Sequence, residues 1–272
     1  MKAHKNLLLL NVTVVIFIFL ITSCISNSYV NTKVTAPVFK GDKKFIGTTY
    51  LGFQRTELNM GYKPFKKAYA VGAMSWIYFG GLSTEIGAGV IPINTKSISW
   101  NLHGSYGYSF LNRSFSQAYI PMSYTSSYDE LKASYDKLST TTYISLNSGK
   151  KKIFSLGARY NWSYYRNFYQ TSMSSEDPPR STYTNPVTYD TVSFRYKSFQ
   201  TLDPFFNVNV KITDNISING QILYSFHTPI NVIGKEHVIV TRSNPSDKTY
   251  DKNFTLPNYK KMLLNIGLQV MF

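Results

Sequence analysis

The chain has 272 residues, of which 43% are hydrophobic, 16% aromatic and only 16% charged, with a formal net charge of +15. Average soluble domains carry about 25% charged residues, so sparse charge beside 22 Tyr and 18 Phe argues against an ordinary soluble surface and for one that partly meets lipid. The longest basic run is Lys150-Lys151-Lys152. This excludes the basic stripe with regularly spaced stacking aromatics that a nucleic-acid binder needs and fits a positive surface near anionic head groups.

The chain opens with MKAHKNLLLLNVTVVIFIFLITSC: Lys2 and Lys5, an apolar stretch from Leu7 to Ile21, then the small residues Thr22 and Ser23 before Cys24. A positive start, a short apolar core and small residues describe a secretory signal over residues 1–23. Asn11 and Thr13 interrupt the run, whereas a membrane-spanning helix needs about 20 apolar residues. Ile21-Thr22-Ser23-Cys24 resembles the lipobox of bacterial lipoproteins, which implies cleavage before Cys24 and lipidation of its thiol. Cys24 is the sole cysteine, so intramolecular disulfides and Cys-based metal sites are excluded. Ile25, not Asp, follows it, so the inner-membrane retention signal of that family is absent. Residues 24–42 are expected to form a polar, Pro-containing linker.

From residue 43 onward the sequence alternates with period two, the mark of strands with two different faces. Ten strands are expected, near 44–53, 56–63, 68–79, 83–93, 97–110, 140–148, 152–168, 198–212, 215–226 and 260–272. In the fifth, Ile98, Trp100, Leu102, Tyr106, Tyr108 and Phe110 oppose Ser99, Asn101, His103, Ser105 and Ser109. In the seventh, Phe154, Leu156, Ala158, Tyr160, Trp162 and Tyr164 oppose Ser155, Gly157, Arg159, Asn161, Ser163 and Tyr165. The polar faces are Ser, Asn, Gln and Thr with little Lys or Glu, which suits a confined lumen. Strands of about ten residues cross a bilayer at a tilt. An open sheet edge in lipid would leave backbone groups unpaired, so the sheet must close.

Short turns fall at 63–67, 94–96, 148–151 and 213–215, and long loops at 111–140, 169–197 and 227–258. Short turns at one end and long loops at the other are the outer-membrane barrel pattern. Within the first long loop, SSYDELKASYDKLS suggests a short helix, and in the third, EHVIVTRS suggests an extension of strand structure. Tyr119, Tyr124, Tyr128, Tyr135, Pro178-Pro179, Arg180, Tyr183 and Tyr189 populate the loops. Such Tyr-rich segments offer large contact area at low entropic cost. The expected fold is thus an all-β, antiparallel, up-and-down transmembrane barrel of about ten strands over residues 43–272.

The last strand is expected to close that barrel, and its Phe272 resembles the C-terminal signal that such proteins present to the outer-membrane assembly machinery. The whole mature chain resembles small outer-membrane β-barrel lipoproteins of Bacteroidetes-type bacteria, in the lipobox and in GDKKFIGTTYLGF, YAVGAM, TEIGAGV, GSYGYSF and NIGLQVMF. That resemblance implies a barrel both integral to and lipid-anchored in the outer membrane.

The lumen face is expected to gather Glu57, Glu85, His103, Arg159, Asp203 and Lys211, and charges in a narrow barrel pair to offset desolvation. An enzyme site has weaker support. Proteases resembling the omptin family need paired carboxylates near a rim His; here His227, Asp190 and Asp203 come from neighbouring segments without a matching Asp pair. Ser225 and His227, two apart, echo rim lipid-modifying barrels. No metal site is expected, because the histidines lack ligand spacing, and no cofactor is expected either. The leading expectation is a non-enzymatic barrel whose long loops meet an extracellular ligand or surface partner or support the envelope, with a narrow transport or ligand-binding barrel using the polar lumen as the alternative and a rim-located enzyme as the third.

Overall fold

The computed structural model describes residues 34–39, 43–51, 55–77, 80–117, 125–149, 151–176, 187–239, 248–256 and 262–272. The signal segment, Cys24 and the loop residues 119, 124, 178–180 and 183 lie outside them. Fourteen strands run in chain order: β1 (Phe45–Leu51), β2 (Arg55–Tyr62), β3 (Ala68–Ile77), β4 (Gly81–Asn94), β5 (Ile98–Gln117), β6 (Thr125–Ser148), β7 (Lys152–Glu176), β8 (Val187–Phe194), β9 (Lys197–Lys211), β10 (Ile216–Tyr224), β11 (Phe226–His227), β12 (Ile230–Ile239), β13 (Lys248–Leu256) and β14 (Met262–Met271).

Ten of them close an antiparallel barrel. β1 to β7 pair in sequence, β7 pairs β9, β9 pairs β10, and β10 pairs β14. The ring shuts where β1 meets β14, from Ile46↔Met271 to Leu51↔Ile266. Each of the ten coincides with a strand expected from the alternation. The faces follow it as well. Trp162 and Leu268 are 45% and 50% exposed on the outer wall, while their neighbours Asn161 and Gln269 are 0% and 4% exposed inside. Apolar groups outside and amides inside invert a soluble protein, and lipid outside the wall accounts for the inversion.

Above the long-strand rim, β7 exchanges partners. Its first part pairs β9 as far as Tyr165↔Lys197, and beyond Phe168↔Phe194 it pairs β8. β8 then pairs β12, and β12 pairs β13. The outer parts of β5, β6 and β7 with these three strands form a sheet standing beyond the barrel. A register shift at Ser134/Tyr135 marks the exit of β6, as bulges do where a barrel strand bends.

Besides the stretches 169–197 and 227–258, expected as loops but carrying the end of β7 and strands β8, β12 and β13, two expectations change here. The stretch 111–140 is not a loop with a short helix: β5 continues to Gln117 and β6 begins at Thr125. Leu131, Ala133, Tyr135 and Lys137 are buried while Lys132, Asp136 and Leu138 are not. Pairing with β5 and β7 on both sides outweighs the local helical tendency of Glu, Leu, Lys and Ala. The expected strand extension at EHVIVTRS does occur over its described residues, 236–239, as the end of β12.

The second change concerns the linker. Residues 34–39, VTAPVF, form a strap inside the barrel. The Val34 N–H donates to Gln221 Oε1 at 3.1 Å and Gln221 Nε2 donates to the Val34 carbonyl at 3.2 Å, so one side-chain amide serves the backbone as a neighbouring strand would. Tyr143 Oη donates to the Pro37 carbonyl at 2.7 Å. Phe39 packs on Tyr69 with ring centroids 5.8 Å apart, and Lys63 Nζ lies 5.4 Å from the Phe39 ring centre. Gly61 is shaped for this segment: a Cβ there would stand 2.8 Å from Pro37 Cβ. At the opposite rim Gly80, with φ of 101°, leaves no room for any side chain, since its Cβ would lie 1.8 Å from the Asn112 carbonyl oxygen.

Overpacking a fitted interior costs about 1–3 kcal/mol. Gly61→Ala is therefore expected to lower the urea midpoint of the detergent-folded barrel. Gly220→Ala, whose added Cβ meets nothing within 4 Å, is expected to leave it unchanged or slightly raised. Equal midpoints for the two variants would refute the fitted strap.

Candidate functional site in the barrel lumen

β6 serves as a ruler through the interior. From the short-turn end it places Tyr143, then Lys137, then Tyr135, Ala133 and Leu131 on the inner face, all buried. These mark three tiers.

The first tier is the strap and its surroundings. Val34 packs with Tyr143, Phe205 and Leu223, and Tyr69, Val71 and Ile91 enclose Phe39. His103 belongs here and not among the charges. Its Nδ1 lies 3.1 Å from Tyr69 Oη, and its ring meets Tyr69 and Tyr143 edge-on at 5.9 and 6.4 Å.

The second tier holds the charges. Arg55 Nε is 2.7 Å from Glu57 Oε1. Glu85 receives Lys137 Nζ at 2.6 Å and the Ser105 hydroxyl at 2.6 Å. Arg159 donates from Nε (3.1 Å) and Nη2 (2.9 Å) to Asp203 Oδ2. Asn161 donates to the same oxygen at 2.7 Å, and Ser225 donates to Asp203 Oδ1 at 2.5 Å. Ser139 donates in turn to Asn161 Oδ1 at 2.7 Å. Four of the six charged or His lumen residues read from the sequence, Glu57, Glu85, Arg159 and Asp203, thus meet in one tier. Lys211 shares their face but sits at the end of β9, where it pairs with Asp214 in the following turn. That bond holds the exposed Asp214 carboxyl below its ordinary pKa.

Arg55 and Lys137 are the partners that the sequence reading missed. Lys137 fell in a segment read as loop, yet it shares period two with Tyr135 and Ser139, which was the available signal. Arg55 stands at the start of β2, two residues from Glu57 and on its face.

The third tier is an aromatic cap. Tyr165 stacks with Phe199 at 5.3 Å and meets Tyr135 edge-on at 5.3 Å, while Phe168 stacks on Phe194 at 4.6 Å. Val192 from β8 and Ile230 and Val232 from β12 complete it, so the outer sheet folds its inner face over the barrel mouth. Farther out on that face Lys252 Nζ bridges Asp190 Oδ2 at 3.1 Å and Glu236 Oε1 at 3.2 Å. Its hydrogen bond to Asp190, reinforced by Glu236, raises the lysine pKa.

The enzyme-like groupings do not assemble. Asp203 is bound to Arg159 in the lumen and Asp190 to Lys252 in the outer sheet, so they form no carboxylate pair. The Ser225 hydroxyl is committed to Asp203. Among the described residues no three His, Cys, Asp or Glu side chains converge as a metal site. Chemically, the tiers do one thing well: they fill space and neutralise one another's charge.

No protein-family model matches the chain, and no curated protein sequence does. Solved structures that resemble it include the outer-membrane protease OmpT of Escherichia coli, at 10% identity and TM-score 0.43, covering 85% of this chain and 94% of that one. A major outer-membrane protein of Thermus thermophilus aligns at 11% identity and TM-score 0.37, covering 85% and 100% of the two chains. The KdgM porin aligns at 9% identity and TM-score 0.32, covering 84% and 99%. Likeness at this level carries no functional argument, and the barrel itself rests on the strand pairing.

Removing one partner of a buried ion pair costs about 3–5 kcal/mol, because a charge is left uncompensated. Lys137→Met is expected to destabilise the barrel by that order in urea unfolding. Adding Glu85→Gln is expected to recover a large part of the loss. A double variant no more stable than Lys137→Met alone would show that the two charges are not coupled.

Proposed function

We propose that the chain is an integral outer-membrane barrel, lipid-anchored at Cys24, non-enzymatic and closed to solute flow, which works through the sheet beyond its rim. On this reading the short turns face the periplasm and the outer sheet faces the exterior. The observation that carries it is the filling of the lumen at three successive levels by strap, ion pairs and aromatic cap. A barrel of about eight strands holds only side chains and one of 16 or more holds a channel, so a filled ten-strand lumen fits the smaller class.

The outer sheet supports the second half of the proposal. β13 forms its edge, with Tyr250 exposed there, and Ile233 of β12 is exposed as well. Exposed edges and aromatic surface outside a membrane suit a surface partner or ligand. The strap and Cys24 give the reading a second support. Cys24 precedes Val34 by ten residues, and extended chain spans about 3.3–3.6 Å per residue. A chain of that length is long enough to reach the periplasmic leaflet, whose hydrocarbon half is about 15 Å deep.

The purified protein is expected to show no steady current in planar bilayers. Deleting residues 34–39 is expected to leave it silent, because the charged tier and the cap remain. A steady ion current through the intact protein would replace this reading with a narrow transport barrel. Separately, Cys24→Ala is expected to abolish labelling by a radioactive fatty acid while preserving the heat-modifiable gel shift of a closed barrel. Persistent labelling would remove the lipid anchor from the proposal.

A further inference from the structure

The barrel strands meet in five places at the short-turn end: the seam of β14 with β1 and the turns β2–β3, β4–β5, β6–β7 and β9–β10. Lysine stands at every one of them. Three of these lysines are engaged. Lys43 Nζ donates to Asn215 Oδ1 at 2.8 Å, Lys63 covers the Phe39 ring, and Lys211 pairs with Asp214. The other six, Lys44, Lys66, Lys67, Lys96, Lys151 and Lys152, are exposed, and among the described residues none has a carboxylate partner. Asp214 is the one side-chain carboxylate described at this end. By contrast, Arg55, Lys137 and Arg159 in the lumen and Lys132, Arg166 and Lys252 outward of it each pair with Asp or Glu.

Backbone hydrogen bonds stitch these junctions into one rim. The Lys63 N–H donates to the Lys44 carbonyl at 2.7 Å and the Ile91 N–H to the Lys67 carbonyl at 2.8 Å. The Asn147 N–H donates to the Ser97 carbonyl and the Lys211 N–H to the Lys151 carbonyl, both at 2.8 Å. The Met271 N–H, donating to the Asn215 carbonyl at 2.8 Å, completes the circuit. The cations are thus held around the full circumference of one end. Apolar side chains stand among them. Phe65, between Lys63 and Lys66 in the β2–β3 turn, is 71% exposed, and Ile212 and Phe272 are exposed as well. The Phe272 ring lies 6.2 Å from that of Phe45 across the seam.

We infer that this lysine rim enriches anionic lipid in the leaflet surrounding the short-turn end. The inference rests on the membrane reading above. Unpaired like charges on one rim repel one another until counter-charge is supplied. Lipid surrounds a barrel on every side, so its head groups reach all five junctions at once. An acidic partner docked end-on would account for the lysines but not for Phe65, Ile212 and Phe272, whereas basic residues interleaved with apolar ones suit the head-group layer. There the stem of a lysine lies along apolar surface while its ammonium reaches the polar layer. Attraction of lysine to an anionic leaflet falls off within a Debye length, so the enrichment is confined to that leaflet. Toward the other rim Lys132 and Arg166 are already neutralised by Glu130 and Asp136.

The test reconstitutes the full protein in phosphatidylcholine vesicles and follows spin-labelled phosphatidylglycerol or spin-labelled phosphatidylcholine by electron paramagnetic resonance. Wild type is expected to immobilise phosphatidylglycerol preferentially, with the preference falling as salt rises. Replacing Lys66, Lys67, Lys96, Lys151 and Lys152 together by Gln is expected to abolish the preference. Lys66→Gln/Lys67→Gln alone is expected to lower it, and a matched pair on the outer sheet, Lys235→Gln/Lys248→Gln, to leave it at the wild-type level. The heat-modifiable gel shift reports whether each variant keeps its barrel. If the fivefold variant loses it, Lys66→Gln/Lys67→Gln decides: a preference below wild type upholds the inference and an unchanged one overturns it. Equal association of wild type with the two lipids overturns it as well, as does an equal loss in the rim and outer-sheet pairs, which would reduce the effect to net charge. Binding of soluble polyglutamate by the detergent-folded protein without any lipid preference would assign the rim to an acidic partner instead. Failure of wild type to insert into vesicles is a different result, which overturns the membrane reading along with the inference.

Discussion

Closure between β1 and β14 is the constraint from which the rest of the molecule follows. Residues near opposite ends of the chain meet over the stretch Ile46↔Met271 to Leu51↔Ile266. With that seam made, no barrel strand has an unpaired edge among the described residues, and the wall can stand in hydrocarbon. Closure also creates an inside. Side chains alternate across the wall, so each strand sends every second residue into a narrow space from which they cannot escape. Many amides, hydroxyls and charges placed there pair with one another, as Ser83 does with Ser109 at 2.7 Å and Ser145 with Ser155 at 2.8 Å.

The charged tier illustrates how such a space is filled. Arg159, Asp203, Asn161 and Ser225 form a connected network in which Asp203 accepts from three side chains. Buried ion pairs add little net stability over apolar side chains of equal volume, but breaking one is costly. The network therefore specifies a register more than it strengthens the fold. Its members come from three different segments of the chain, so a slip of any strand by one residue would turn a charge into the wall.

Alternation made the ten barrel strands legible in the sequence, because a wall with lipid on one side and a polar lumen on the other imposes period two on every strand that spans it. The same pattern placed Glu57, Glu85, Arg159 and Asp203 on the inner face. It failed where local chemistry competed. In 126–139, Glu130, Leu131, Lys132 and Ala133 favour helix, and only pairing with distant β5 and β7 decides for strand, so Lys137 was hidden with its segment. The strap was hidden for another reason. VTAPVF is apolar, which was a visible anomaly in a segment read as polar linker, but its partners Gln221, Tyr143 and Gly61 are scattered over the chain and no local period connects them. The outer sheet lay between these cases: EHVIVTRS betrayed strand character, whereas its position over the mouth depends on β7 changing partners.

The strap carries a consequence for how the protein is made. Val34 and Gln221 are separated by 187 positions, and the segment lies within a ring whose seam joins the first and last strands. A chain already sealed would have to admit VTAPVF into an interior already crowded by Tyr69 and Tyr143. Seating it while the cylinder is still open avoids that passage, so the geometry favours docking of the strap before the β1–β14 seam closes. Contacts so remote in sequence form slowly, and a seam that closes last would leave them time to form.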